Sequence, residues 1–247
     1  MKKSILTLLL LAGFFQVGKA QSGLNFPFIE KTFQFEIGGG TLKPGPDLAS
    51  TSANGLFARN GGQFNLGFQG FIYKPFGLGF QFDYQSFGFR RSEFLAASGA
   101  SFMEADRTFG SPRFALKGLI QVPFLLFKGN AHLLFCAEGL AGLSSLRTPR
   151  IILEYSELDN KYTRVEYRSR GGTHGFLGAS AGVKLFIGPV FGVYFNKQFT
   201  FRSRHTARYS VRSFDAEGNL YESENYLHQF MDAEGYTFGL VFRVGGK

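Results

Sequence analysis

Acid–base or nucleophilic chemistry in this chain would have to run through four histidines, His132, His174, His205 and His228, or through a single cysteine, Cys136. A hydrolase or acyl-transfer site needs a histidine beside a serine and a carboxylate, within hydrogen-bond reach. His174 and Ser180 fall on one face of an extended segment, but six strand residues separate them by about 20 Å. His132 belongs to the opposite end of the molecule from His174. Local spacing therefore builds no triad, and no catalytic residue is assigned. Histidine, cysteine and carboxylates do not cluster at metal-ligand spacing. Gly38-Gly39-Gly40 and Gly245-Gly246 lack the strand-to-helix context of a phosphate loop. No metal site and no cofactor is expected.

The charges that remain interesting are six that alternate with apolar neighbours: Glu36, Asp83, Lys117, Glu138, Lys184 and Arg243. The elements that carry them are extended. Phe33, Phe35 and Ile37 alternate with Gln34, Glu36 and Gly38; Leu78, Phe80, Phe82 and Tyr84 with Gly79, Gln81 and Asp83; Tyr236, Phe238, Leu240 and Phe242 with Thr237, Gly239 and Arg243. Eight segments repeat this period of two, which marks strands with two chemically different faces. Helical periodicity is absent after the N-terminal leader, so the expected class is all-β.

That leader is itself legible. Lys2 and Lys3 precede an apolar stretch from Ile5 to Phe15, and Gly18-Lys19-Ala20 supplies small residues at the −3 and −1 positions of a cleavage site. Residues 1–20 are expected to be a cleaved secretory signal peptide and residues 21–247 a β-barrel. The residue after the cleavage site is Gln21, not a cysteine, and the single Cys136 cannot form an intramolecular disulfide. No run of 18 apolar residues exists to make a membrane-spanning helix.

Connections between the eight segments alternate strictly. Long ones, near 41–62, 90–112, 144–172 and 203–233, are separated by short ones near 74–76, 123–129 and 187–189. All long loops then leave one side of an up-and-down sheet, the layout of an outer-membrane barrel with short periplasmic turns and long external loops. Eight strands enclose just enough room for their own side chains. On a lipid face, a basic residue costs about 2–4 kcal/mol at mid-bilayer; inside, the three acidic and three basic residues can pair. The expectation is an eight-stranded antiparallel up-and-down transmembrane β-barrel with phenylalanine toward lipid and a charge network within. The 33 glycines and 32 phenylalanines of the 247 residues fit that division, with glycine relieving a crowded inner wall.

At two segments the chain resembles the outer membrane protein beta-barrel domain family, the PorT-like eight-stranded barrels of Gram-negative envelopes. Gln121-Val122-Pro123-Phe124-Leu125-Leu126-Phe127-Lys128 is similar to that family's strand, proline, aliphatic run and lysine at a periplasmic turn. Phe135-Cys136-Ala137-Glu138-Gly139-Leu140-Ala141-Gly142 is similar to its following strand. The chain departs in the additional Phe127 and in a terminus reading Val244-Gly245-Gly246-Lys247, where Phe242 is the nearest aromatic. The resemblance implies an envelope location, and participation in secretion or gliding machinery for a few relatives.

Partner chemistry concentrates in the external loops. Arg150–Tyr155 and Tyr162–Tyr167 flank a turn, as do Arg208–Arg212 and Leu220–Leu227, and both pairs are expected to be hairpins prolonging barrel strands. They present Tyr155, Tyr162, Arg164, Tyr167, Arg168, Tyr209, Arg212, Tyr221 and Tyr226, residue types favoured at protein interfaces. Removal of Lys2, Lys3 and Lys19 with the leader leaves 24 basic and 18 acidic residues, a net of +6, of which the four long loops carry only +1. No concentrated external basic patch is expected and nucleic acid is not a partner. Expected partners are outer-membrane lipid and lipopolysaccharide, the barrel-assembly machinery and an envelope protein. The functional expectation is a structural or partner-binding role without catalysis. The alternatives are a lipid-modifying barrel enzyme of the lipid A deacylase or acyltransferase type, and a component of a secretion or transport assembly.

Overall fold

A computed structural model describes residues 32–52, 55–73, 75–106, 108–126, 131–156 and 162–245. The leader expected at 1–20 and the turn segment 127–130 lie outside them. Eight strands make the wall: β1 (Thr32–Pro44), β2 (Ala58–Tyr73), β3 (Phe76–Phe89), β5 (Thr108–Leu126), β6 (Ala131–Ser145), β9 (Thr173–Ile187), β10 (Phe191–Phe214) and β11 (Leu220–Gly245). Each pairs antiparallel with its predecessor, and β11 returns to β1 from Thr32↔Gly245 to Pro44↔Ala233, so the sheet closes and leaves no edge within the wall. This is the expected barrel, an eight-stranded antiparallel up-and-down one.

The period of two sets which side chains go where. On β3, Phe76, Leu78, Phe80, Phe82 and Tyr84 all face outward and are exposed. Those eight steps cover about 26 Å of strand, or about 20 Å along the barrel axis at the usual tilt, close to the apolar band that a bilayer requires. Phe33, Phe68, Phe114, Leu116, Phe195 and Phe238 continue the belt around the wall. Burying such a surface in water-excluding lipid satisfies it, whereas a water-soluble barrel would leave it wet. The belt ends externally in Tyr84 on one side and, on the other, in Tyr236 with Lys43, Lys197 and Glu234, which pair at 3.7–3.8 Å.

The short turn after β9 uses Gly188 at φ 79°, a left-handed backbone that glycine adopts without steric cost. Inside, Gly67 makes room: a Cβ there would stand 3.0 Å from Glu36 Oε2 and 3.4 Å from Lys117 Nζ. Gly118 and Gly139 behave otherwise. They pair with each other across β5 and β6 on the outward face, with nothing within 4 Å of an added Cβ, so not every glycine serves the inner wall.

Two short helices depart from the all-β expectation outside the wall. Helix α1 (Pro46–Ala49) has proline in its first turn, and α2 (Arg91–Ser98) ends at Gly99 with φ 67°. Eight residues without a strong apolar stripe leave no periodicity to detect. Phe94 of α2 packs edge-on against Phe57 at 5.1 Å between ring centres.

Three further strands, β4 (Phe102–Ala105), β7 (Ile151–Glu154) and β8 (Arg164–Gly171), belong to an extracellular sheet ordered β11-β10-β8-β7-β4. The hairpin 208–227 does prolong barrel strands, with β10 and β11 staying paired out to Phe214↔Leu220. The hairpin of β7 and β8 does not, which corrects the expectation from sequence. Arg147 forms an isolated bridge with Gly110, and Gly171 at φ 67° turns the chain between β8 and β9. Strand β8 therefore leaves the β6–β9 line and pairs with β10, through Arg212↔Glu166 and Val211↔Tyr167.

The sheet's inner face shares a core with the external rim of the barrel. Leu42, Phe87 and Met231 from the wall meet Leu48 of α1, Met103 of β4 and Leu153 of β7, all nearly inaccessible. Each such side chain contributes about 1.5–3 kcal/mol by leaving water. The external elements are thus a packed layer over the barrel mouth.

Candidate functional site

Two regions collect polar side chains: the lumen and the outer face of the extracellular sheet. All six charges expected inside the barrel are buried. Four of them meet at mid-wall. Lys117 Nζ, from β5, donates to Glu36 Oε2 at 2.9 Å and to Glu138 Oε1 at 3.4 Å; Lys184, from β9, pairs with Glu36 and lies 4.0 Å from Glu138 Oε1. Two acids and two bases cancel. Glutamines complete the cluster: Gln69 Nε2 donates to Glu36 Oε1 at 3.0 Å and to Gln34 Oε1 at 2.7 Å, while Gln34 Nε2 donates to Gln121 Oε1 at 3.0 Å. Ser180 donates to Glu138 Oε2 at 2.7 Å. A charge cluster paired in this way occupies the lumen with side chains.

The other two charges stand apart. Asp83 accepts from Gln81 at 2.8 Å and is the cross-strand neighbour of Arg113. Arg113 is buried, stacks over Phe176 at 3.8 Å and donates to Thr200 at 2.8 Å. It was legible two residues before Ala115 in the same alternation and was missed. Arg243 stacks over Phe186 at 3.8 Å, toward the periplasmic end.

The histidines and Ser180 do not converge. His174 Nε2 lies 2.8 Å from the Thr206 carbonyl oxygen, and His228 Nδ1 lies 2.9 Å from the Thr206 hydroxyl. Ser180 is engaged with Glu138, and His132 is buried toward the other end of the wall. The side chain of His205 falls outside those described. Cys136 is a buried free thiol. No group of three or more metal-ligating side chains forms among the described residues.

In the extracellular sheet, alternation sorts the nine expected partner-binding residues between two faces. Tyr155 and Tyr167 pack against the apolar core, and Tyr209 lies beside Tyr167 at 6.1 Å. Tyr162 packs against Tyr221 at 5.7 Å near the tip. Arg164, Arg168, Arg212 and Tyr226 occupy the other face, where Tyr226 is 55% exposed. Glu166 organises that face: Arg164 donates to it at 2.7 Å, Arg168 at 2.9 Å, and Arg150 lies at 3.7 Å. Its burial opposes ionisation, but the hydrogen bonds from Arg168 and Arg164 and their charges outweigh that, holding the carboxyl below its ordinary range. At the tip, Asp215 accepts from the Asn219 backbone at 2.7 Å and its side chain at 2.9 Å. The edge of β4 away from β7, and the edge of upper β11 away from β10, have no neighbouring strand among the described elements.

The fold also gathers charge that sequence counting left dispersed. Arg147, Arg150, Arg168 and Arg170 line one cleft of about 660 Å³ with Tyr84 and Asp106. The expectation of no concentrated external basic patch is therefore corrected. Loop totals average over residues that the β7–β8 hairpin brings together.

The chain matches no protein-family model and no curated protein sequence. Solved structures of similar architecture are outer-membrane proteins. OprG from Pseudomonas aeruginosa is 8% identical, with 88% of this chain and 97% of that one covered at a TM-score of 0.48. Ail, the attachment invasion locus protein of Yersinia pestis, is 11% identical, with 87% and 99% covered at 0.41. The outer membrane protease OmpT from Escherichia coli is 12% identical, with 91% and 100% covered at 0.36. The likeness is one of barrel architecture alone. The membrane-spanning reading rests on the phenylalanine belt and the charge-filled lumen of this chain.

Proposed function

We infer that this protein is exported by its leader, inserted by the barrel-assembly machinery as an integral outer-membrane barrel of the PorT-like kind its sequence resembles, and engages an envelope protein through its extracellular sheet without catalysis. One observation carries the reading: a filled lumen beneath an ordered external layer whose charged face is exposed. A lumen occupied by Glu36, Lys117, Glu138 and Lys184 is poorly suited to conduction, and loops needed only to close turns would not need to build a five-stranded sheet. Exposed Tyr226, beside Arg208, together with the outer edges of β4 and upper β11, which are unpaired among the described elements, matches the chemistry by which proteins recognise each other and add strands. The test is site-directed photo-cross-linking in intact cells with the probe at Tyr226, and at Phe238 in the lipid belt as control. A discrete protein adduct from Tyr226 alone supports the reading. Adducts absent at Tyr226 across growth conditions contradict it.

A further inference from the structure

The arginine-lined cleft has a position as well as a charge. Tyr84, Thr108 and Gly110 form its lower wall on the outward face of β3 and β5, at the external limit of the apolar belt; Arg150, Arg168 and Arg170 border it above, with Arg147 beside them. The Tyr84 ring leans over Gly110, where an added Cβ would stand 2.7 Å from the tyrosine hydroxyl. A cavity there opens at the depth where lipid headgroups lie against the barrel.

Its carboxylates do not balance its guanidinium groups. Glu166 is shared among Arg150, Arg164 and Arg168, and Glu224 between Arg170 at 3.8 Å and Arg208 at 2.6 Å. The Asp106 carboxylate accepts the backbone N–H of Arg150 at 2.9 Å. Arg147 has no carboxylate within ion-pair distance among the described residues. The lining itself holds four arginines, Arg147, Arg150, Arg168 and Arg170, against the single acid Asp106, an excess of three positive charges. On the far side of the barrel the same rim holds Lys43 and Lys197 around Glu234, an excess of one. Planar guanidinium forks match phosphate oxygens bidentately, which an ammonium cannot do.

From this we propose that the cleft is a binding site for the phosphorylated headgroup of an outer-leaflet glycolipid, whose acyl chains lie along the Phe80–Phe82–Phe114 stretch of the belt. The site goes beyond protein partnering but rests on the membrane-spanning reading. Arg147 and Arg170 reach the phosphate, and Thr108 and Ser169 offer hydroxyls beside it.

The test uses the full-length barrel inserted into phosphatidylcholine vesicles containing diphosphoryl lipid A, with chelator present so that divalent ions form no bridges. Lipid retained after detergent extraction is read by native mass spectrometry. The wild type is expected to retain diphosphoryl lipid A, and R147A/R170A at least tenfold less, since each charge-assisted contact contributes about a decade. R147K/R170K, which keeps charge but loses the fork, is expected between them and answers the question alone if the alanine variant does not insert. Insertion of the variants into vesicles lacking lipid A checks the membrane reading separately. Equal retention by the variants overturns the proposal, as does equal retention of fully dephosphorylated lipid A. Tight binding of inorganic phosphate with no lipid retained also overturns it, in favour of a free-anion site.

Discussion

Replacing Glu36 by glutamine removes one negative charge and almost no volume. In the intact lumen Glu36 contacts both Lys117, at 2.9 Å, and Lys184. Without its charge, Lys117 retains Glu138 at 3.4 Å, but among the described residues Lys184 keeps only Glu138 at 4.0 Å and the Gln34 side-chain oxygen Oε1 at 3.4 Å. The cluster passes from neutral to a net single positive charge in a lumen where Lys117 and Lys184 are fully inaccessible. Breaking a buried pair by removing one partner costs about 3–5 kcal/mol, or roughly two to three and a half decades in the folding equilibrium. The assay is reversible urea unfolding from lipid vesicles, followed by the mobility difference between unboiled and boiled protein on a gel. Adding Lys184→Met restores neutrality, leaves the Lys117–Glu138 pair, and is expected to recover more than half of the loss. A Glu36→Gln cost below about 1 kcal/mol would refute the reasoning. So would a double variant whose loss equals the sum of the two single losses, since interacting charges must couple.

Leu116→Arg places a charge in the lipid belt and is expected to cost about 2–4 kcal/mol in the same titration. Leu220→Arg, at a similarly exposed leucine in the extracellular sheet, is expected to stay within about 0.5 kcal/mol; equal costs at the two positions would contradict the placement of the belt. Glu166 sets a pH dependence outside the membrane. Because its folded pKa is depressed, its stabilisation of the β7–β8 hairpin is complete above the ordinary carboxylate value of about 4.3 and is lost as pH falls through the lower folded value. Hydrogen exchange of the Glu166 segment, corrected for intrinsic rates, is expected to quicken in that acid window. Glu166→Gln is expected to exchange fast already at neutral pH, and a pH-independent wild type would contradict the assignment.

The barrel was legible because alternation has one physical cause, the pleat, and two solvents, lipid outside and paired charge within. Phe80 and Gln81 on β3 declare their faces without any knowledge of neighbours. Loop lengths added the direction of the strands. What stayed hidden depends on contacts distant in sequence. That Glu36 meets Lys117 and Lys184 follows from barrel register and stagger, which no single strand encodes. The β7–β8 hairpin was visible as a hairpin, but its docking on β10 turns on Gly171 adopting a left-handed backbone and on Arg147 bridging Gly110. Tyr155 and Tyr167 looked like surface aromatics for the same reason: their partners, such as Leu153 and Met103, lie on other segments. The arginine cleft escaped because Arg147 and Arg170 are far apart in sequence and close only after β8 folds back.

Cysteine labelling in intact cells tests the central claim most directly, since Cys136 is buried and gives no background at the surface. Tyr226→Cys, Pro189→Cys and Phe238→Cys place a thiol in the extracellular sheet, in the turn between β9 and β10, and in the lipid belt. A membrane-impermeant maleimide is expected to label the first alone, with Pro189→Cys reacting only after the outer membrane is opened and Phe238→Cys only after unfolding. Labelling of Pro189→Cys and Tyr226→Cys alike in intact cells, or of Phe238→Cys in the folded barrel, would contradict a membrane-spanning barrel with its sheet outside.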